Sequence, residues 1–314
     1  MFTSCEPESI VVQELANLNI STTIEGVAVT IEGHVLHFSS IDDIETVLSS
    51  PKIVEDGLSF TGEFVSAAEA YNKFITDDAN DLISVDKNPH LVALVEVQGE
   101  TYLEPVVADD GLKHIVNSDG VLAVDERFMK VDRNDLRFVS AEDFASQGLL
   151  AFVDGPSLII KPLQTSSTSL SIAKRNVIEP VHDEFTGEGS RSNRNKDFRL
   201  TGNIESTESL IGPNRVIVRS KFFRKRFGIW WGVHANLTNY YDLRGTYISD
   251  VGGSTPYNVF SPVPIAKRAQ NFPTEVVSSS IFRFGDQGGL WTVDGLYIAT
   301  ASEDGGSGSI RMEP

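Results

Sequence analysis

The spacing of apolar residues changes part-way along this 314-residue chain, and no other feature limits its fold so tightly. Up to about residue 150, runs with helical spacing are interleaved with runs of period two. Beyond about residue 200, helical spacing almost disappears and short period-two runs follow one another between Gly and Pro turns. Side chains three or four apart share a helix face, and side chains two apart share a strand face, so a run written in one period has no continuous apolar face in the other geometry. The change predicts an α+β N-terminal domain followed by an all-β C-terminal domain, a sandwich or an open barrel. The boundaries expected are an N-terminal tether over 1–23, an acidic α+β domain over 24–165, a linker with long loops over 166–199, and the all-β domain over 200–314.

Charge divides at the same place. Residues 1–150 hold 8 Lys and Arg against 28 Asp and Glu, whereas residues 151–314 hold 18 against 16. A net charge of −18 spread in this way gives two different surfaces, and the acidic one would repel the phosphates of a nucleic acid.

Within the first half, Val27, Val29 and Ile31 alternate with Ala28 and Thr30, the tight Glu32-Gly33 pair follows, and His34 to Phe38 continues in the same style. This is a β-hairpin pattern. Ile41, Ile44, Val47 and Leu48 then fall on one helical face after Ser39 and Ser40. Pro51 ends that helix, because proline disfavours helical geometry in the residue before it. Ser66 and Glu69 form an S-x-x-E capping box ahead of a buried stripe of Tyr71, Phe74 and Ile75. A third helix is expected from Pro89 to Leu94, with Pro89 where its missing N–H costs nothing. The stretch from Leu112 to Val131 reads as a helical turn, a turn at Gly120 and a two-strand hairpin.

That stretch carries Ile115-Val116-Asn117-Ser118-Asp119-Gly120 and, further on, Phe128-Met129-Lys130-Val131. Together with strand-to-helix starts at Phe38-Ser39 and Phe64-Val65-Ser66, it resembles uncharacterised secreted and lipid-anchored proteins of Bacteroidetes. In those proteins an LLN-x-x-G turn leads into a strand, a tight turn and an aromatic-x-Lys-Val strand. The resemblance spans roughly residues 34–140, and Val124-Asp125-Glu126 departs from the Val-Gly-Asp turn of that group. The group has no agreed activity, so the resemblance implies a compartment and leaves the chemistry open.

The one cysteine bears on compartment too. Phe2-Thr3-Ser4-Cys5-Glu6 has the setting of a bacterial lipid-attachment site: an apolar residue, two small ones, then Cys. One cysteine rules out internal disulfides, and no run of about 20 apolar residues is present to span a bilayer. A secretory signal needs a basic start and an apolar run of roughly 7–15 residues, but only Met1 to Ser4 precede Cys5. Either translation starts upstream and Cys5 is acylated, giving a cell-envelope protein that is an outer-membrane lipoprotein or surface exposed, or Met1 is the start and Cys5 is an ordinary cytoplasmic thiol. Lipid attachment at Cys5 is the expectation, with the membrane reached through that anchor alone.

The usual catalytic signatures do not occur: there is no phosphate-binding G-x-x-x-x-G-K-[ST] loop and no G-x-S-x-G elbow. His34 and His37 have a spacing that would suit a metal on a helix, but in a strand they point to opposite faces. Asp77-Asp78-Ala79-Asn80-Asp81 and Asp132-Arg133-Asn134-Asp135 are acid-rich, yet neither has the Gly at position six and the closing Glu of a calcium loop. No metal and no cofactor is expected.

Two other features could bind a ligand. The window from Arg191 to Arg226 holds ten Lys and Arg against Asp197, Glu205 and Glu208, with Phe222, Phe223, Phe227, Trp230 and Trp231 interleaved or adjoining. Arg215 and Arg219 would line the wet face of a strand, or dock the acidic first half. Aromatic pairs such as Trp230-Trp231 and Tyr240-Tyr241 could offer stacking surfaces to sugars, although neighbours in a strand face opposite ways, so one Trp should lie in the core and the other outward. Trp230, Trp231, Tyr240, Tyr241, Arg224 and Arg226 are therefore the candidate ligand-binding residues. The reading that follows is a lipid-anchored envelope binding or interaction protein without catalysis, its partner a surface glycan or an envelope protein, with nucleic acid disfavoured. The alternatives are a secreted hydrolase using carboxylates and, if Met1 is the true start, a cytoplasmic protein of another role.

Overall fold

The structure is a computed structural model, and it describes residues 20–58, 64–78, 82–97, 99–133, 135–162, 178–187, 196–207, 211, 214–233, 236–248, 254–258, 265–268, 275–282, 290–303 and 306–312. Cys5, and residues 166–177 and 188–195 of the expected linker, fall outside these residues. The chain is mixed α/β and mostly β-sheet.

In chain order the first part comprises β1 (Ile20–Ile24), β2 (Val27–Glu32), β3 (Val35–Phe38), α1 (Ile41–Leu48), α2 (Pro51–Asp56) and α3 (Ala67–Lys73), the last running into a π-helical turn over Phe74–Asp78. It continues with α4 (Leu82–Lys87), β4 (Val92–Val97), β5 (Glu100–Pro105), α5 (Leu112–Ile115), β6 (Val121–Val124), β7 (Arg127–Val131), β8 (Asp135–Ser140), α6 (Ala141–Gln147), α7 (Ala151–Asp154) and β9 (Ile159–Pro162). Among the described residues, strands alone follow: β10 (Ile178–Gly187), β11 (Lys196–Thr207), β12 (Asn214–Arg226), β13 (Ile229–Gly232), β14 (Asn236–Ile248), β15 (Ser254–Asn258), β16 (Ile265–Arg268), β17 (Glu275–Phe282), β18 (Leu290–Glu303) and β19 (Gly306–Met312).

The first sheet has the order β1-β2-β3-β6-β7-β8-β9, antiparallel except where β3 lies parallel to β6. One face carries Val29, Ile31, Leu36, Phe38, Leu122, Val124 and Met129 against Ile44, Val47, Leu48 and Ile53 of α1 and α2. The other carries Val35, Val121, Ala123 and Val139 against Ala151 and Phe152 of α7. Period two in the strands thus feeds two cores at once. Leu36, Ile44 and Leu48 are fully buried, each worth roughly 1.5–3 kcal/mol relative to exposure.

Local signals were faithful here. Ser40 caps α1 by accepting from the Asp43 N–H, and Ser66 and Glu69 form the reciprocal capping box of α3. Pro51 ends one helix and opens the next as its first residue. The hairpin turn sits at Gly33-His34, both left-handed (φ 55° and 66°), one residue later than Glu32-Gly33. The helix expected over Pro89–Leu94 is a correction: α4 lies earlier, and Val92–Val97 pairs as a strand with β5 from Val92↔Pro105 to Val97↔Glu100. Six consecutive ladder pairs outweigh the weak helical preference of a Val-rich run.

The second sheet has the order β10-β11-β12-β13-β5-β4, with β17 also paired to β12. It crosses residue 165, because β5 of the acidic half lies parallel to β13 through Ile229↔Thr101 and Trp230↔Tyr102. The third sheet has the order β15-β14-β18-β19, with β16 also on β14.

Candidate functional site

On β5, Glu100, Tyr102 and Glu104 occupy alternate positions and so share one face. On β12, Arg219, Lys221, Phe223 and Lys225 do the same. β13 lies between these strands and aligns them, with Trp230 opposite both Lys225 and Tyr102. The two stripes meet as opposite charges. Arg199 of β11 donates to Glu100 and to the Tyr102 hydroxyl, Lys221 Nζ lies 2.7 Å from Glu104, and Lys225 Nζ lies 3.6 Å from Glu100. Arg219 pairs with Asp110, which also holds Lys113 Nζ at 3.0 Å. The basic window thus closes on the acidic half, and Arg219 is covered where the sequence pattern allowed a wet face.

Aromatic rings fill the space between these charges. Arg199 lies over Trp230 with its guanidinium carbon 4.1 Å from the ring centroid, and Lys225 Nζ lies 5.0 Å from the same centroid. Tyr102 stacks on Trp230 at 6.5 Å and meets Phe223 edge-on at 5.3 Å. The Arg199 hydrogen bond is the main reason the Glu100 carboxyl is held below the usual carboxylate range, and partial desolvation opposes it. Burial is the main reason the Tyr102 phenol is raised.

Trp230 and Trp231 do face opposite ways, but neither faces water: they are 2% and 1% exposed. Trp230 packs with Tyr102 and Phe223, and Trp231 with Tyr71, Phe74, Leu103 and Ile229. The expectation that one of them points outward is corrected, because both sides of β13 are covered. Trp231 also fixes the hairpin by donating Nε1–H to the Arg226 carbonyl at 3.1 Å.

What these two side chains support is the β12–β13 hairpin. Its last pairs are Arg224↔Trp231, Lys225↔Trp230 and Arg226↔Ile229, and its turn is Phe227-Gly228, both left-handed (φ 54° and 80°). Phe227 is 67% exposed at the apex, with half-buried Arg224 and Arg226 on the strand face away from Lys225. The structure therefore brings Trp230, Trp231, Arg224 and Arg226 into one hairpin. Tyr240 and Tyr241 stand in the third sheet, opposite Ile298 and Tyr297 of β18, and their side chains lie outside the described residues. Sequence reasoning counted Phe227 only among the aromatics of the basic window; the Arg-Phe-Gly-Ile run between two strand patterns is the signal that places it on a turn.

The acidic clusters read differently. Asp132 and Asp135 converge on Arg137, which holds Asp135 through Nε at 2.8 Å and Asp132 at 3.3 Å, and also donates to the Phe152 carbonyl. Side chains of the 77–81 cluster lie outside the described residues. Glu100 and Asp143 are both held toward the ionised form, Asp143 chiefly by its hydrogen bond with Ser157. A general acid needs the opposite displacement. His37 lies in β3 edge-on to Phe128 at 5.7 Å, while His34 occupies the preceding turn.

Among the described residues, no helix is long and apolar enough to cross a membrane. No protein-family model and no curated protein matches the chain. Among solved structures, a DUF4848 family protein from Bacteroides thetaiotaomicron is similar, with 13% identity and a TM-score of 0.21 over 89% of this chain and 97% of the other. At that score, fold and function are left to be read from this chain's own residues.

Proposed function

We propose that this chain is a non-catalytic binding protein of the cell envelope, tethered through a lipid on Cys5, which presents the β12–β13 hairpin to an anionic surface glycan or polymer. The observation that carries the reading is the apex itself. An exposed aromatic, Phe227, stands beside Arg224 and Arg226 on a hairpin clamped from both sides by Trp230 and Trp231. A turn held in this way loses little conformational freedom when a ligand arrives, which is the advantage of a preorganised contact. The cell-envelope part rests on the Phe2-Thr3-Ser4-Cys5 context and on the resemblance described above.

Two experiments test the two parts. Growth with a clickable fatty acid should label the product of the full gene and not its Cys5→Ala variant; a label that is absent, or that survives the substitution, ends the anchor. An array of acidic and neutral polysaccharides should show acidic binding that Phe227→Ser weakens about twofold to tenfold, since one aromatic contact is worth roughly 0.5–1.5 kcal/mol. Equal binding by the variant removes the hairpin from the reading. Product formation from any bound polymer would replace it with the carboxylate hydrolase.

A further inference from the structure

A separate cleft opens on the first sheet, away from the hairpin and independent of any anchor. It measures about 600 Å³ and lies between the start of α1 and the β7–β9 side of the sheet. Ile41, Val124, Phe138 and Ile159 supply apolar lining, and Arg127 and Lys161 the cations. Among the described residues β9 is the outer strand of this sheet, paired on one side only, to β8. Both faces of β9 are unusually apolar for an edge: Ile159 is 43% exposed toward the cleft, and Ile160 is 51% exposed on the opposite face.

Edge strands are commonly protected by lysine and proline. Pro162 ends β9 and can guard that end, having no N–H to offer. Lys161 does not extend across the edge, because its Nζ lies 5.1 Å from the centroid of Phe138 and so covers the cleft floor. Neither Arg127 nor Lys161 has an ion-pair partner among the described residues. Asp125 and Glu126 also line the cleft, but they form the β6–β7 turn, two strands inward from β9, and Lys161 is the charged residue of β9.

We infer that β9 is a docking edge for an extended peptide whose sequence reads acid–aliphatic–aliphatic. Continuing the antiparallel order of β8 and β9 sets the cross-strand pairs. The acid falls opposite Lys161, the first aliphatic residue opposite Ile160, and the second opposite Ile159 over Phe138. Main-chain hydrogen bonds along the edge supply affinity, and these three alternating contacts supply the choice of sequence. The cleft volume matches that of small-ligand sites, which suits a few residues of extended chain.

The probe is a fluorescein-labelled Thr-Ser-Glu-Val-Ile-Thr-Ser peptide, followed by fluorescence anisotropy with the full chain. Saturable binding is expected. Lys161→Glu should weaken it about threefold to tenfold, and a probe with Lys in place of its Glu should recover the loss on that variant alone. Ile160→Asp should abolish binding of both probes. All three β9 positions are exposed, so circular dichroism of the variants should match the parent. No saturable binding, or a Lys161→Glu variant that binds both probes as the parent does, overturns the inference, as would binding that Ile160→Asp leaves intact.

Discussion

Replacing Asp110 with Ala should cost more stability than any other single change at the charged seam, because its carboxylate balances two cations at once. Its side chain is 5% exposed, against 10% for Lys113 and 13% for Arg219. Removing one member of a buried ion pair costs about 3–5 kcal/mol, and Asp110→Ala removes two pairings at once, which puts it at the upper end. Arg219→Ala keeps the Asp110–Lys113 pair and should cost less, about 1.5–3 kcal/mol, the value of a hydrogen bond to a charged group. Replacing the three together with Leu, Met and Met should bring stability back close to the parent, since apolar groups of similar volume carry no desolvation penalty. Urea unfolding followed by tryptophan fluorescence is a suitable assay, because Trp230 is buried in the same sheet. With a slope of about 3 kcal/mol/M, Asp110→Ala should move the midpoint by at least about 1 M. A shift below about 0.3 M, or one no larger than that of Arg219→Ala, would refute the view that one carboxylate holds both cations in a water-poor site.

Other perturbations test the local rules. Gly120 has φ 76°, and a Cβ there would meet the Val131 carbonyl at 2.8 Å; Gly33, at φ 55°, has nothing within 4 Å. Gly120→Ala should therefore lower the melting temperature clearly more than Gly33→Ala, which carries only the left-handed backbone cost of roughly 1–3 kcal/mol. Ser66→Ala removes the α3 cap and should cost about 1 kcal/mol in the same thermal assay. Burial is the main reason the His37 imidazole is held below its ordinary value of 6.5, and Glu32 opposes it. The unfolded chain then binds the proton first as pH falls below 6.5, so His37 destabilises progressively down to its folded pKa; His37→Gln should flatten that part of a stability–pH curve. Glu100 has the opposite sense: its stabilising contribution is full above 4.5 and is lost as pH falls through its lower folded value, so Glu100→Gln should shallow the acid limb.

Much of the first sheet was legible because its signals are local. A Ser three residues before Glu, a Pro after two serines and a Gly between two alternating runs each act within one turn of chain. β4 was missed for the complementary reason. Its sequence, Val92 to Val97, fits a short helix or a buried strand, and only pairing with β5 decides between them. The strand β10 lay inside the stretch expected to be linker and long loops, where Ile178 to Gly187 offers no strong apolar alternation but pairs with β11.

The charge division was visible from counting, and each half of the seam was visible as a stripe: Glu100-x-Tyr102-x-Glu104 on one strand, Arg219-x-Lys221-x-Phe223-x-Lys225 on another. What alternation could not supply was their adjacency. That depends on β13 lying parallel to β5, a long-range pairing that no local residue pattern encodes. The two tryptophans illustrate the same limit. Period two assigns Trp230 and Trp231 to opposite faces of their strand, and the structure agrees. Whether a face is wet depends on the layer that closes over it, and here Arg199 and Tyr102 close over Trp230 while Tyr71 and Phe74 close over Trp231. Aromatic side chains in the middle of a sheet are thereby made into supports, and the exposed contact passes to the turn beyond them, where Phe227 is 67% exposed.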